Sequence, residues 1–240
     1  MALYEKTSDR ATAIRLLSGD VFSNLITLKM LTLYPDFCTS TAFLRCDDWA
    51  CVTELEVAAS HWDRRAYPGW ERVVLLDGNS QDLLHIAFDH APKVGSVYKV
   101  HDSFTGSLVS RLPGACRRRS FLSYSAMGDI NEAGSSSTGA VHEYVTLTSE
   151  SILGFSHNGY SGEELAALFQ CGASWFGLAV DGHCACQCLI FRNYGHIWEI
   201  GGVYTQPEHR HKGYARLVVQ AAVRHLRSRA ARDAQHQRKG

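Results

Sequence analysis

Apolar positions along the chain fall into two periods, and the change from one to the other marks the elements. Between residues 8 and 34, Ala13, Leu16, Leu17, Val21, Leu25 and Leu28 recur mostly at three- and four-residue steps. That is the spacing of one helical face, and Ser18-Gly19-Asp20 divides the segment in two. Short apolar runs predict strands over residues 41–46 and 71–76, the second closed by the turn pair Asp77-Gly78. Ser80-Gln81-Asp82 reads as a helix start for Leu83, Leu84, Ile86 and Ala87. Residues 96–101 and 119–125 are further strand candidates. The stretch Gly134-Ser135-Ser136-Ser137-Thr138-Gly139 has linker composition, which divides the chain into 1–134, a linker at 135–139, and 140–240.

The second part is more sharply punctuated. Val141 to Leu147 is a candidate strand. Ser161-Gly162-Glu163-Glu164 precedes a short helix, Leu165 to Gln170, with acidic residues where its first turn favours them. Trp175 to Val180 runs into Asp181-Gly182, a two-residue hairpin signal, and the returning strand is Cys184 to Arg192. Asn193-Tyr194-Gly195 turns again into a strand from His196 to Thr205. A helix follows from about Lys212, with Leu217, Val218, Ala221, Ala222 and Leu226 on one face. The alternation predicts an α/β protein, an α+β mixed sheet in the second half preceded by a smaller α+β domain.

Composition narrows the function classes. Apolar residues make up 45% of 240, enough for a core, and Lys plus Arg equal Asp plus Glu at 24 each. Zero net charge gives no pull toward nucleic acid or an anionic membrane. The basic run Arg117-Arg118-Arg119 and the arginines after Leu226 read as solvated faces. No segment approaches the roughly 18 apolar residues that span a bilayer. The first ten residues are charged and lack the apolar stretch of a secretion signal, so eight reduced cysteines in a cytoplasmic protein are the expectation. Cys184, Cys186 and Cys188 alternate along one strand, which puts all three on one face as small apolar residues. Their spacing is wrong for zinc, and no metal is expected. Asp63 to Trp70 reads as a surface turn pinned by Trp62 and Trp70.

The chemistry concentrates at Ile200 to Val218. An apolar strand is followed by a polar turn with Pro207, then by Arg210-x-x-Gly213-x-Ala215 at a helix start. Small residues there let a ligand approach bare backbone, and the unpaired amides and dipole of a helix N-terminus favour a phosphate or pyrophosphate. Neither Gly-x-x-x-x-Gly-Lys-Ser/Thr nor Gly-x-Gly-x-x-Gly occurs in the chain.

Arg210, Gly213 and Ala215 fill the three positions of the acyl-coenzyme A motif of the GNAT superfamily of N-acyltransferases, which this segment resembles. The resemblance covers roughly residues 140 to 230. It implies acetyl-CoA as co-substrate, with Val203, Tyr204 and Thr205 along the pantetheine arm. The pyrophosphate would meet the backbone of Arg210, His211, Lys212, Gly213, Tyr214, Ala215 and Arg216. It also implies transfer of acetyl to a primary amine of a small molecule or peptide by direct attack. Glu199, eleven residues before Arg210, lies where resembling members place a glutamate base. By strand alternation it shares a face with Gly201 and Val203. Gly201-Gly202 weakens a strand interior, which signals a bulge or close ligand approach, or else tight packing beneath an aromatic ring. Tyr194 and His196 are second-line proton-relay candidates.

The family's further strand and helix after the motif, with its asparagine and its thiolate-protonating tyrosine, have no counterpart after Leu226; no tyrosine follows Tyr214. Three readings therefore stand: an acetyltransferase, a non-catalytic acyl-CoA-binding or regulatory module, or an inactive truncated copy. An exposed sheet edge would favour association, including a homodimer. By analogy of fold, the first half is a degenerate GNAT-like copy or a substrate cap.

Overall fold

A computed structural model describes residues 4–112, 114 and 140–237, with main chain alone beyond 230. It is a mixed α/β structure with two sheets, in two compact units, Met1–Ala126 and Met127–Gly240. The strand candidate at 119–125, the run Arg117 to Arg119 and the linker at 135–139 lie outside the described residues.

The first unit opens with β1 (Glu5–Thr7), α1 (Arg10–Leu17) and α2 (Leu25–Leu33), with a 3-10 turn at Ser18–Asp20 where the sequence predicts the break. Asp9 starts α1 by accepting the amide protons of Ala11 and Thr12. Then come β2 (Cys38–Arg45), β3 (Asp48–Glu56), α3 (His61–Ala66), β4 (Arg72–Gly78), α4 (Gln81–His90), β5 (Ser96–Val100) and α5 (Asp102–Val109). The sheet order is β1-β2-β3-β4-β5, antiparallel until β5, which lies parallel to β4. A parallel pair needs a crossover, and α4 supplies it. Phe43, Val52, Val74 and Leu76 of the sheet pack on Leu83, Ala87 and Phe88 of α4 and on Phe104 and Leu108 of α5.

Sequence periodicity misses β3 and α3 for physical reasons. Ala50, Cys51, Val52 and Thr53 of β3 are consecutively buried, so this central strand shows no alternation. The segment read as a surface turn from Asp63 begins inside α3, capped by Ser60, and Asp63 points inward with its side chain fully buried. Lys99 Nζ donates to Asp63 Oδ1 at 2.7 Å and lies 4.9 Å from the Trp62 ring centre, so the carboxylate is paired rather than solvated.

The second unit runs β6 (Val141–Tyr144), α6 (Ser149–Ser156), α7 (Gly162–Gln170), β7 (Ser174–Val180), β8 (His183–Tyr194), β9 (Ile197–Thr205) and α8 (Tyr214–Gln237). Its sheet is antiparallel in the order β6-β7-β8-β9. Asp181 and Gly182 have φ of 51° and 83°, the left-handed pair that the hairpin signal requires. Reciprocal side-chain caps, Thr148 with Ser151 and Ser161 with Glu164, start α6 and α7. Val218 and Ala222 of α8 pack on Phe176, Cys188 and Ile190, while Phe155 of α6 and Leu165 of α7 pack on Trp175, Leu189 and Phe191 across the sheet. Apart from α3, this unit repeats the order of the first from β1 to α4: strand, two helices, three strands, helix.

The three alternating cysteines do not share a face. The β7–β8 register slips at Leu178/Ala179, where Cys184 pairs with Ala179 and Cys186 with Leu178, leaving Ala185 as an extra residue. This bulge turns Cys184 toward Gln187, while Cys186 and Cys188 face α8. Burial raises all three thiols, Cys184 and Cys188 to about 12, so they stay protonated and unreactive.

Two contacts generate tests of stability. Gln187 is buried and donates to the Ser151 carbonyl at 2.9 Å, tying α6 to the sheet. It fits because Gly154 has no Cβ; one there would lie 2.5 Å from Gln187 Nε2. Gly154→Ala should destabilise the protein by about 1–3 kcal/mol, read from the urea midpoint. In the first unit, Asp77 accepts from Thr27 at 2.6 Å and lies 3.7 Å from His101 Nε2. Asp77 is the main cause that raises the His101 pKa, with Asp20 and the Ser23 backbone adding to it and burial opposing. A raised folded-state value makes this contribution complete below about pH 6.5 and lost as pH climbs through the folded value. Stability by chemical denaturation should therefore fall as pH rises above about 6.5, and His101→Gln should flatten that slope.

Candidate functional site

Among the described residues β9 is an edge strand, so one row of its amides and carbonyls has no strand partner there. Leu189 of β8 pairs with Gly201 and Gln187 with Tyr204, so one intervening residue on β8, Cys188, faces two on β9, Gly202 and Val203. The extra residue bulges at Gly202, whose φ of 57° suits glycine. Both sequence readings of Gly201-Gly202 apply at once. A Cβ on Gly202 would lie 2.9 Å from the Phe155 ring, and one on Gly201 would lie 2.9 Å from Tyr160 Oη.

The bulge also corrects the predicted facing of Val203. Simple alternation from Glu199 puts Val203 on the α6 side; instead Tyr204 is there, stacked on His157 with ring centres 4.6 Å apart. Thr205 turns to the α8 side, where its hydroxyl lies 3.1 Å from Cys186 Sγ. Val203 is 38% exposed, and its carbonyl accepts from Asn158 Nδ2 at 3.2 Å. The carbonyl of Thr205 accepts from Arg210 Nε at 3.2 Å.

Glu199 is half-buried opposite Phe191 of β8. Its Oε2 accepts from Asn193 Nδ2 at 2.6 Å, while Oε1 sits 3.5 Å from the place a Gly201 Cβ would take. Asn193 Oδ1 is buried with no hydrogen-bond partner among the described residues. Tyr160, in the α6–α7 connection, faces the same space, with its ring edge-on to Phe155 at 6.3 Å. Burial, then the charges of Glu199 and Glu164, push its phenol up to about 12, so it is a donor at any physiological pH.

Beyond β9, a 3-10 turn at Pro207–His209 leads to His211 and Gly213, with φ of 61° and 80°. Nothing lies within 4 Å of a Cβ built on Gly213, so the mouth of α8 is open. The amide of Leu217 bonds the Gly213 carbonyl at 3.3 Å, so those of Tyr214, Ala215 and Arg216 sit in the first turn without such a partner. Arg210, His211, Lys212 and Arg216 are exposed around that mouth. Tyr214 is buried in the α8 core and fixes the helix start. The predicted group from Arg210 to Arg216 is thus gathered at one corner, with Glu199 further back on the strand that leads to it. His196 is exposed in the β8–β9 turn beside Tyr194 and stands apart from that corner.

Sequence reasoning missed Tyr160, Asn158 and Asn193 as site residues. Asn193 carried only a turn signal, and it meets Glu199 because the hairpin folds the two strands together. Tyr160 and Asn158 lie some 40 residues from their partners, and no local pattern connects them.

Among the described residues no cluster of three or more His, Cys, Asp or Glu is placed to hold a metal ion, and no helix is long and apolar enough to cross a membrane.

The family model described as the acetyltransferase (GNAT) family matches residues 145–236. Among solved structures, the chain is similar to a tandem GNAT protein from the clavulanic acid biosynthesis pathway, without acetyl-CoA, at 9% identity and a TM-score of 0.47, over 93% of this chain and 87% of that one. No curated protein matches. The matched segment takes in every element from α6 to the end of β9, the open corner and nearly all of α8. The likeness to the acetyltransferase (GNAT) family is thus carried by residues 145–236 of this chain.

Proposed function

We propose that the second unit transfers an acetyl group from acetyl-CoA to a primary amine by direct attack. The observation that carries this reading is the open Gly213 corner, where first-turn amides and four exposed basic or imidazole side chains surround space that no side chain fills. A diphosphate fits that donor set by charge and by hydrogen bonding. The backbone from Arg210 to Arg216 holds it, and the edge of β9 at Val203, Tyr204 and Thr205 takes the pantetheine amides. Glu199 accepts the proton of the attacking amine, directly or through water, with Asn193 fixing one carboxylate oxygen. Among the described residues the first unit has no comparable corner. Its β4–α4 turn is only Asn79 and Ser80, Asn79 Oδ1 accepts the Trp49 amide proton at 2.7 Å, and a Cβ on Gly78 would meet the Trp49 carbonyl at 2.7 Å. We therefore assign the nucleotide end of the co-substrate to the second unit alone.

A second reading is a module that binds acyl-CoA without turnover. In either reading a pantetheine amide takes the Val203 carbonyl by displacing Asn158 from it. Calorimetric binding of acetyl-CoA with no thiol release across an amine panel would decide for that reading.

Acetyl-CoA should raise the melting temperature of the wild type by mass action, and Gly213→Glu, which places bulk and negative charge in the mouth at a left-handed φ, should abolish the shift. An unchanged shift in that variant removes the assignment. In a thiol-release assay, Glu199→Gln should lower kcat by about 10²–10⁴-fold with acetyl-CoA affinity intact. Asn193→Ala removes the hydrogen bond that orients the Glu199 carboxylate, so in the same assay kcat should fall while acetyl-CoA affinity stays intact.

A further inference from the structure

The space over Gly201 holds one group that the proposed reaction has not yet used. Glu199 Oε1 lies 3.5 Å, and Tyr160 Oη 2.9 Å, from the position a Gly201 Cβ would occupy. The two groups differ in kind. Glu199 accepts hydrogen bonds. Tyr160 keeps its proton, because burial and two neighbouring carboxylates oppose its ionisation, and no hydrogen bond contributes to that shift. The bulge opens the backbone here, and the missing side chain at Gly201 is what admits the hydroxyl.

We propose that Tyr160 is a catalytic residue, donating its hydroxyl proton in a hydrogen bond to the acyl oxygen while Glu199 takes the proton from the amine. The inference rests on the acyl-transfer reading above. When the amine nitrogen bonds to the acyl carbon, the carbonyl π pair moves onto oxygen and nitrogen becomes acidic. One donor and one acceptor on the same small space match those two changes. As the C=O bond re-forms, the carbon–sulfur bond breaks and its electron pair leaves with the thiolate. The proton lost by nitrogen passes from Glu199 through solvent to that thiolate, so an amide and free thiol are the products. Tyr160 begins and ends protonated. A donor preorganised where negative charge develops acts on the transition state and little on ground-state binding. The same residue also holds the bulge in place: its ring lies 3.3 Å from a Cβ built on Gly202, so its position and the strand's irregularity are coupled.

Tyr160→Phe keeps the ring against Phe155 and deletes only the hydroxyl. In the full chain, with acetyl-CoA and the best amine of a panel, kcat should fall about 10²–10³-fold while KM and the dissociation constant for acetyl-CoA stay within about twofold. Gly201→Ala is the second variant. Its methyl displaces the hydroxyl and leaves the phenol in the chain, so it should show the same split between kcat and KM. Melting temperatures of both variants are measured alongside. If Glu199→Gln is impaired and both of these variants turn over within about threefold of wild type, the role of Tyr160 is overturned and the acyl-transfer reading stands. If the wild type releases no thiol with any amine, that reading falls and this inference falls with it.

Discussion

The missing side chains at Gly201 and Gly202 are the constraint on which the packing of α6 and the α6–α7 connection against β9 depends. An extra residue in an edge strand costs ladder hydrogen bonds, and it persists only if the surroundings compensate. Here Phe155 and Tyr160 close on the bulge at distances that any Cβ would obstruct. This contact holds the α6–α7 side of the sheet down on β9, turns the strand's alternation over between Glu199 and Tyr204, and leaves Glu199 beside a phenol. One irregularity thus sets both the packing and the chemistry of the site.

The two units share an order of elements but differ where it matters for a ligand. In the first, β4 passes into α4 through two residues, and the asparagine between them is bonded back to Trp49 and to Asp47. In the second, eight residues, Gln206 to Gly213, separate β9 from α8, and the helix mouth stands open. The Asn79 amide, bonded to the Trp49 carbonyl, is not available to a ligand, whatever the resemblance in topology. Conversely, the first unit keeps a parallel strand, β5, beside β4, whereas β9 is left as a free edge among the described residues. A topology can persist while the loops that join its elements diverge.

Much of this was legible in the residues themselves. The predicted break at Ser18 to Asp20, the Asp181-Gly182 hairpin and the strand–turn–helix around Arg210 to Ala215 are all present, because each depends on neighbours within a few positions. The gathering of residues 210 to 216 follows from spacing alone. The facing of Val203 and the shared face of Cys184, Cys186 and Cys188 went wrong for one reason: strict alternation assumes a regular strand, and a bulge shifts every residue beyond it.

Local grammar follows from the residues alone: helix caps, turn pairs, and the small residues at the mouth of α8. Which groups stand around Glu199 follows instead from long-range packing. Asn193 reaches it across a hairpin and Tyr160 from the loop between two helices, contacts that depend on chain packing and leave no periodic trace in the residues. Local conformation is written in near-neighbour sterics and hydrogen bonding, whereas the composition of a site is a sum over distant segments brought together by burying their apolar faces.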